Sequence, residues 1–328
     1  MMTPLQFEET YQHEWLELEG LLAQAGGRKT GAPVLDAPLS GARLAALYRR
    51  ACEHLALARA RSYPAYIVDR LDRITTDAHQ LIYRRREFGF ASLTTFVARD
   101  FPRAVRTHLP YVLTSAAVFM LPTLILGLLV YWRPEMILSV VDATTASSFE
   151  DMYSPTARSI GRVRTASTDW VMFGYYIRNN ISVAFQCYAG GLFAGLGSLF
   201  FLAYNGAFGG ALAGFLTARG LSSTFYSFIA THSAFELTAI VLTGAAGLRI
   251  GHALLAPGRL SRLQSLVHAT RNSVALVYGA TAMLCVAAVI EAFWSSANWI
   301  APAIKYAVAA VCWITVFGYF TLQGRRAD

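Results

Sequence analysis

Four polar side chains stand inside stretches that are otherwise almost wholly apolar: Asn205, His232, Glu236 and Glu291. His232 and Glu236 are four apart in THSAFELTAIVL, the spacing that puts two side chains on one helix face. Two ligand-type residues at that spacing are half of a helical metalloprotease site. HSAFE lacks the second His, and no strong third ligand adjoins it in sequence, so neither a metal site nor a cofactor is read from it. Two readings remain: a hydrogen-bonded structural pair, and a path for protons or ions. Glu291 is expected within about two helical turns of His232 in depth, at about 1.5 Å per residue, close enough to pair with it. A carboxylate facing lipid at mid-membrane costs about 3 kcal/mol on insertion scales. Glu236 is therefore expected to face protein, with His232, Asn205 or a neighbouring helix as partner.

Asn205-Gly206 reads as a tight turn, a reversal that Asn-Gly favours. The alternative is a ligand-facing break in a membrane helix. There is no GxSxG, no P-loop, and no GxGxxG followed by an acidic ribose ligand. No catalytic residue is assigned and no enzyme is expected; an intramembrane hydrolase is the one catalytic alternative.

The elements that must hold these residues are membrane helices. The chain has 328 residues, of which 55% are hydrophobic and 15% charged, against about 25% charged in ordinary soluble proteins. About half of the basic residues precede Pro110, so a polar, basic first third is followed by an apolar remainder. The net charge of +8 fits the positive-inside rule better than a nucleic-acid partner, and none is expected. The N-terminus, MMTPLQFEETYQHEWLELEG, lacks a basic, then apolar, signal-peptide pattern. Cys52, Cys187, Cys285 and Cys312 form no CxxC pair, so neither a disulfide framework nor a zinc knuckle is read.

The expected fold is all-α: a cytosolic helical domain over 1–108 and a transmembrane bundle over 109–328. In the first domain, helical periodicity marks Pro4–Gln24, a helix from an N-cap at Ser40, Pro64–Arg86, and Leu93–Arg106. Gly26 and Gly27 would end the first of these, and Pro33 and Pro38 mark the loop after it. About six spans follow: Leu109–Tyr131, Ile181–Leu202, a short or re-entrant Gly206–Ala218, Phe225–Leu248, Val274–Phe293 and Ala301–Leu322. Residues 132–178 read as an external loop, with Ile137–Val141 and Trp170–Ile177 as helices at the membrane interface. Six crossings put the basic first third, Arg249–Arg271 and Arg325–Arg326 on one, cytoplasmic, side; five would not. Pro257, Gly258 and Arg259 read as a cytosolic loop that stops the fourth span.

Glycines recur four apart: Gly191 and Gly195; Gly206, Gly210 and Gly214; Gly247 and Gly251. In lipid, helix association relies on close packing, which small residues at this spacing permit. Helix contacts within the protomer, and a homodimer, are expected from them.

Four stretches together resemble the stage II sporulation protein M family of bacterial integral membrane proteins. They are Phe7–Leu22 with Trp15 and LELEGLL; Leu47–Arg84; Asn180–Gly210, which runs into Tyr-Asn-Gly; and His232–Arg259, with HSAFELTAI, GAAGLRIG and PGR. Two positions depart from the pattern: His54, where an acidic residue is expected, and Ser233, where a Gly is. The resemblance implies a structural and interaction role: a scaffold in the bacterial inner membrane, linked to cell-envelope remodelling. It also implies partners of the MoxR-type ATPase and von Willebrand factor A-type classes. The alternative, read from the residues, is a channel or transporter with a polar path through Asn205, His232, Glu236 and Glu291.

Overall fold

The computed structural model describes residues 2–25, 41–82, 90–154, 169–297 and 299–325, which contain twelve α-helices and no strand. The chain divides into two units, Met1–Gly89 and Phe90–Asp328.

The first unit is three helices: α1 (Pro4–Ala25), α2 (Gly41–Ala60) and α3 (Ala65–Ile82). Apolar residues at helical period close one core of Phe7, Trp15, Leu18, Leu47, Ile67 and Leu71. Each such side chain contributes about 1.5–3 kcal/mol on burial. Leu5, although on the apolar sequence face, is exposed. Polar pairs rim this core. The Arg43 guanidinium donates twice to Glu17, at 2.8 and 2.6 Å, and holds that carboxyl below its usual value. Arg70 donates twice to Glu19, both at 3.0 Å, and lies over the Trp15 ring. Exposed pairs of this kind contribute at most about 1 kcal/mol, so the core carries the stability. Inside it, the Trp15 indole donates to His54 Nδ1 at 3.1 Å. His54 fills a buried polar position here as an acceptor. The expected Ser40 cap, the glycines at 26 and 27, the prolines at 33 and 38, and the end of the third helix at 84–86 lie outside the described residues.

The second unit begins at residue 90, not at 109. A short helix α4 (Phe90–Thr95), a π-turn at Phe96–Asp100 and α5 (Phe101–Thr107) belong to it. Phe101 is the reason: its ring is buried against Gly279, Tyr319 and Phe320 of the bundle. The compact unit that holds the bundle thus starts ahead of the first span at Leu109.

Then come α6 (Leu109–Trp132), a 3-10 turn at Pro134–Ser139, α7 (Ala143–Tyr153), α8 (Asp169–Ala189), α9 (Leu196–Ala218), α10 (Ser222–Leu255), α11 (Arg262–Val289), a π-turn at Ile290–Ser295 and α12 (Pro302–Leu322). Five of the helical segments are long and apolar enough to cross a membrane: α6, α9, α10, α11 with its π-turn, and α12. Their exposed faces are apolar, with Leu113, Leu121 and Leu128 on α6 and Val311, Ile314 and Phe317 on α12. That inverts a soluble protein's surface and is what lipid requires.

A sixth helix, α8, runs the length of the bundle. Trp170 at its start packs on Phe293, while Gly191 just past its end abuts Gly247 of α10. Arg178 and Asn179 on its exposed face and the buried Asn180 lower its apolarity, which disguises it in sequence. Two expectations change as a result. Trp170–Ile177 is the first half of this helix and not a separate helix at the interface, so the connecting loop ends before Asp169. And the expected second span, Ile181–Leu202, is two pieces.

The break falls at 190–195. A 3-10 turn at Gly190–Leu192 ends α8, and Ala194 and Gly195 take left-handed backbone, with φ of 54° and 86°. The second of these is the conformation glycine adopts without strain. Consequently Asn205 and Gly206 form no turn. They lie inside α9, a full 23 residues, where the expected third span was short. Asn205 donates back along its own helix to the Phe201 carbonyl at 2.7 Å.

Helices α6 and α9 run parallel and in very close contact. A Cβ on Gly206, Gly210 or Gly214 would run into the backbone oxygens of Phe119, Thr123 and Gly127, each step matching one turn on both helices. Gly247 and Gly251 face Gly191, Ser198 and Gly195 in the same way across α10. The seven glycines thus pack against neighbours within this chain.

Helices α6, α8, α9, α10, α11 and α12 alternate in direction and bring the ends of the unit together. Arg106 donates to the carbonyls of Phe320 and Gln323 at 3.0 and 2.8 Å, and the Tyr319 hydroxyl donates to Val97. At this near end stand Arg99, Arg103, Arg106, Arg259, Arg262 and Arg325. Glu135, Asp142, Glu150, Asp151 and Asp169 stand at the far end with Arg133 and Arg219. Pro257–Arg259 is a near-end connection: Gly258 turns with φ 62°, and Ser261 caps α11 in a capping box with Gln264.

Candidate intramembrane polar site

Helix α10 is 34 residues long, and Glu236 lies about 21 Å from its far end at 1.5 Å per residue. One turn earlier stands His232, buried. Its Nε2 is 3.8 Å from Glu236 Oε2, ion-pair range rather than a hydrogen bond. The other ring nitrogen, Nδ1, is 2.9 Å from the Ser295 hydroxyl.

Ser295 and Glu291 come from the π-turn that ends α11. The extra residue in such a turn re-aims side chains, and π-turns recur at functional sites. Here it turns Glu291 inward, where it is buried. One ligand atom from each of His232, Glu236 and Glu291 can be chosen so that all lie within 4.8 Å of one another.

These three residues line a cavity of about 760 Å³ between α6, α8, α9 and α10. Its polar wall also includes Thr123, Asn179 and Asn180; Phe149, Met152 and Tyr153 of α7 line its far end. Helix α7 is held there by Asp142, which caps its N-terminus by accepting from the Thr145 amide at 2.9 Å, and by an ion pair of Glu150 with Arg219 at 2.9 Å. The Tyr153 ring meets Phe225 and Phe228 edge-on. The donor bonds from Thr145 hold the Asp142 carboxyl below its usual range.

Of the four polar residues singled out in sequence, three converge. Asn205 does not: it lies on α9 and does not line the cavity. Three further residues carry the site's structure. Ser295 orients His232. Lys305, fully buried, donates from Nζ to the Ser295 carbonyl at 2.7 Å. Asn180 is buried, with its Nδ2 lacking a hydrogen-bond partner. The Lys305 signal was there in IAPAIKYAV: a lysine one turn past the proline that opens the last helix, easily taken as an interfacial anchor.

The sequence profile of the stage II sporulation protein M family matches residues 116–296, more than half of the chain, including the cavity helices and all three converging residues. The chain belongs to this family. A second profile, a domain of unknown function (DUF8413), matches residues 5–84, within the three-helix unit. No curated protein and no solved structure matches. Family and architecture together make this a multi-helix membrane protein with an all-α bundle.

Proposed function

We propose that this member of the stage II sporulation protein M family is an assembly protein of the bacterial inner membrane. The bundle anchors it, and the N-terminal unit recruits partner proteins on the cytoplasmic face. The observation that carries this reading is the first unit itself: three helices with a closed core of their own, matched by a profile separate from that of the bundle. A module that needs nothing from the membrane to bury its apolar faces has its outer surface free for partners. The orientation rests on the arginines at the near end of the bundle, which the positive-inside rule keeps in the cytoplasm. The partner classes of this proposal, MoxR-type ATPases and von Willebrand factor A-type proteins, are those the family resemblance implies, as is a link to envelope remodelling. The test is co-purification of the full chain from native membranes, followed by mass spectrometry. Partners should be retained by the wild type and lost on charge reversal of the exposed Arg49 and Arg73. Retention by the variant of every partner bound by the wild type contradicts the reading.

A second reading is favoured by the cavity at Glu236: a proton or ion path through His232, Glu236 and Glu291. It predicts flux in liposomes that Glu236→Gln abolishes; equal flux in both contradicts it.

A further inference from the structure

Two carboxylates and an imidazole have been brought together, from two helical segments 55 residues apart, into a cavity inside a membrane bundle. Such a cluster is costly in apolar surroundings unless something of opposite charge joins it. Lys305 supplies one positive charge nearby, through its bond to the Ser295 carbonyl.

The geometry suits a cation. Tetrahedral bonds of about 2.1 Å to nitrogen and oxygen set ligands about 3.4 Å apart; His232 Nε2 and Glu236 Oε2 are 3.8 Å apart. The spread of at most 4.8 Å among the three ligand atoms closes with small side-chain rotations. Ser295 accepting from His232 Nδ1–H would leave the Nε2 lone pair for a metal, the outer-shell arrangement that metal-ligating histidines use. One nitrogen and two carboxylates, with a further position open to the cavity, is the donor set of a borderline divalent ion.

An independent observation points to an occupant. Asn180, 3% exposed and lining the same cavity, has no hydrogen-bond partner for Nδ2. A buried donor of this kind costs about 1–3 kcal/mol if left unmet. A polar occupant of the cavity would offer Asn180 Nδ2 the acceptor it lacks.

We propose that His232, Glu236 and Glu291 bind one divalent first-row transition-metal ion, zinc being the best fit, with its open position facing the cavity. Ser295 is a positioning residue.

The test uses full-length protein in detergent, stripped by chelation and titrated with Zn²⁺, with bound metal counted by elemental analysis. Co²⁺ is used in parallel for its visible absorption. The wild type should take one equivalent per chain and show visible cobalt bands. Ser295→Ala, which leaves every ligand in place, should weaken binding about 10–100-fold. The Glu236→Gln/Glu291→Gln double variant, checked for folding by circular dichroism, should lose the equivalent. Should that variant not fold, His232→Cys carries the test, because a thiolate ligand adds an intense near-ultraviolet band to the cobalt spectrum. The proposal is overturned by a wild type without stoichiometric zinc, by a folded double variant that keeps it, or by a cobalt spectrum that His232→Cys leaves unchanged.

Discussion

Gly210 of α9 lies directly against the carbonyl oxygen of Thr123 in α6, so close that a single Cβ would collide with backbone. Nothing in that contact can rotate away, since both sides are main chain. Gly210→Ala should therefore destabilise the bundle by about 1–3 kcal/mol, the usual range for overpacking. Gly318→Ala, on α12 with nothing within 4 Å of the added methyl, should be neutral or slightly stabilising. Thermal unfolding in detergent compares the two; equal midpoints would contradict the α6–α9 packing.

Six helices of alternating direction, if α8 crosses with the five apolar ones, predict which loops face which compartment. In a cysteine-free background, a cysteine at Ser147 on α7 should react with an impermeant maleimide in right-side-out spheroplasts. A cysteine at Leu260, in the exposed connection between α10 and α11, should react only after permeabilisation. The reverse pattern would invert the bundle and remove the cytoplasmic placement of the N-terminal unit.

Burial pushes the His54 imidazole below its ordinary value of 6.5, although Glu14 and Glu53 pull it partly back. A folded-state pKa below the unfolded one means that the unfolded chain binds the proton first. The stability linked to His54 is thus fully present above about pH 6.5 and falls away as pH drops towards the lowered folded value. Protonation also removes the acceptor that Trp15 donates to. The urea midpoint of the N-terminal unit, followed by proteolysis of the full chain, should fall on acidification below pH 6.5. His54→Gln should flatten that fall; an unchanged slope would remove His54 as its cause.

Much of this was legible in sequence because one physical signal was strong. Apolar stretches long enough to span lipid, with arginines massed at alternate ends, gave the bundle and the common side of its two ends. The helical period marked Trp15, Leu18, Leu47, Leu71 and Ile74, all of them buried. Counting depth along neighbouring spans was enough to bring His232 and Glu291 within about two helical turns of each other, and the structure sets them side by side. What misled was glycine, which serves both turns and close packing. Gly206 reads as half of an Asn-Gly turn, yet it is where α6 presses on an unbroken helix. The real break at Gly195 looked like one more packing glycine, because a left-handed φ leaves no mark in the sequence. Helix α8 hid because Arg178, Asn179 and Asn180 break its apolar run. Asn180 turns inward to the cavity while Arg178 stays exposed, and nothing local says which does which.

The central claim is that the N-terminal unit docks partners while the bundle holds it at the membrane, and in-cell photo-crosslinking tests it most directly. A photoreactive residue at Arg73, exposed on α3, should give discrete protein adducts in native membranes. These should disappear when Leu71→Asp opens the fully buried core beneath it, while a probe at the exposed Leu121 of α6 continues to mark lipid. Adducts at position 73 that survive Leu71→Asp unchanged, or a position 73 that captures no protein at all, would contradict the account.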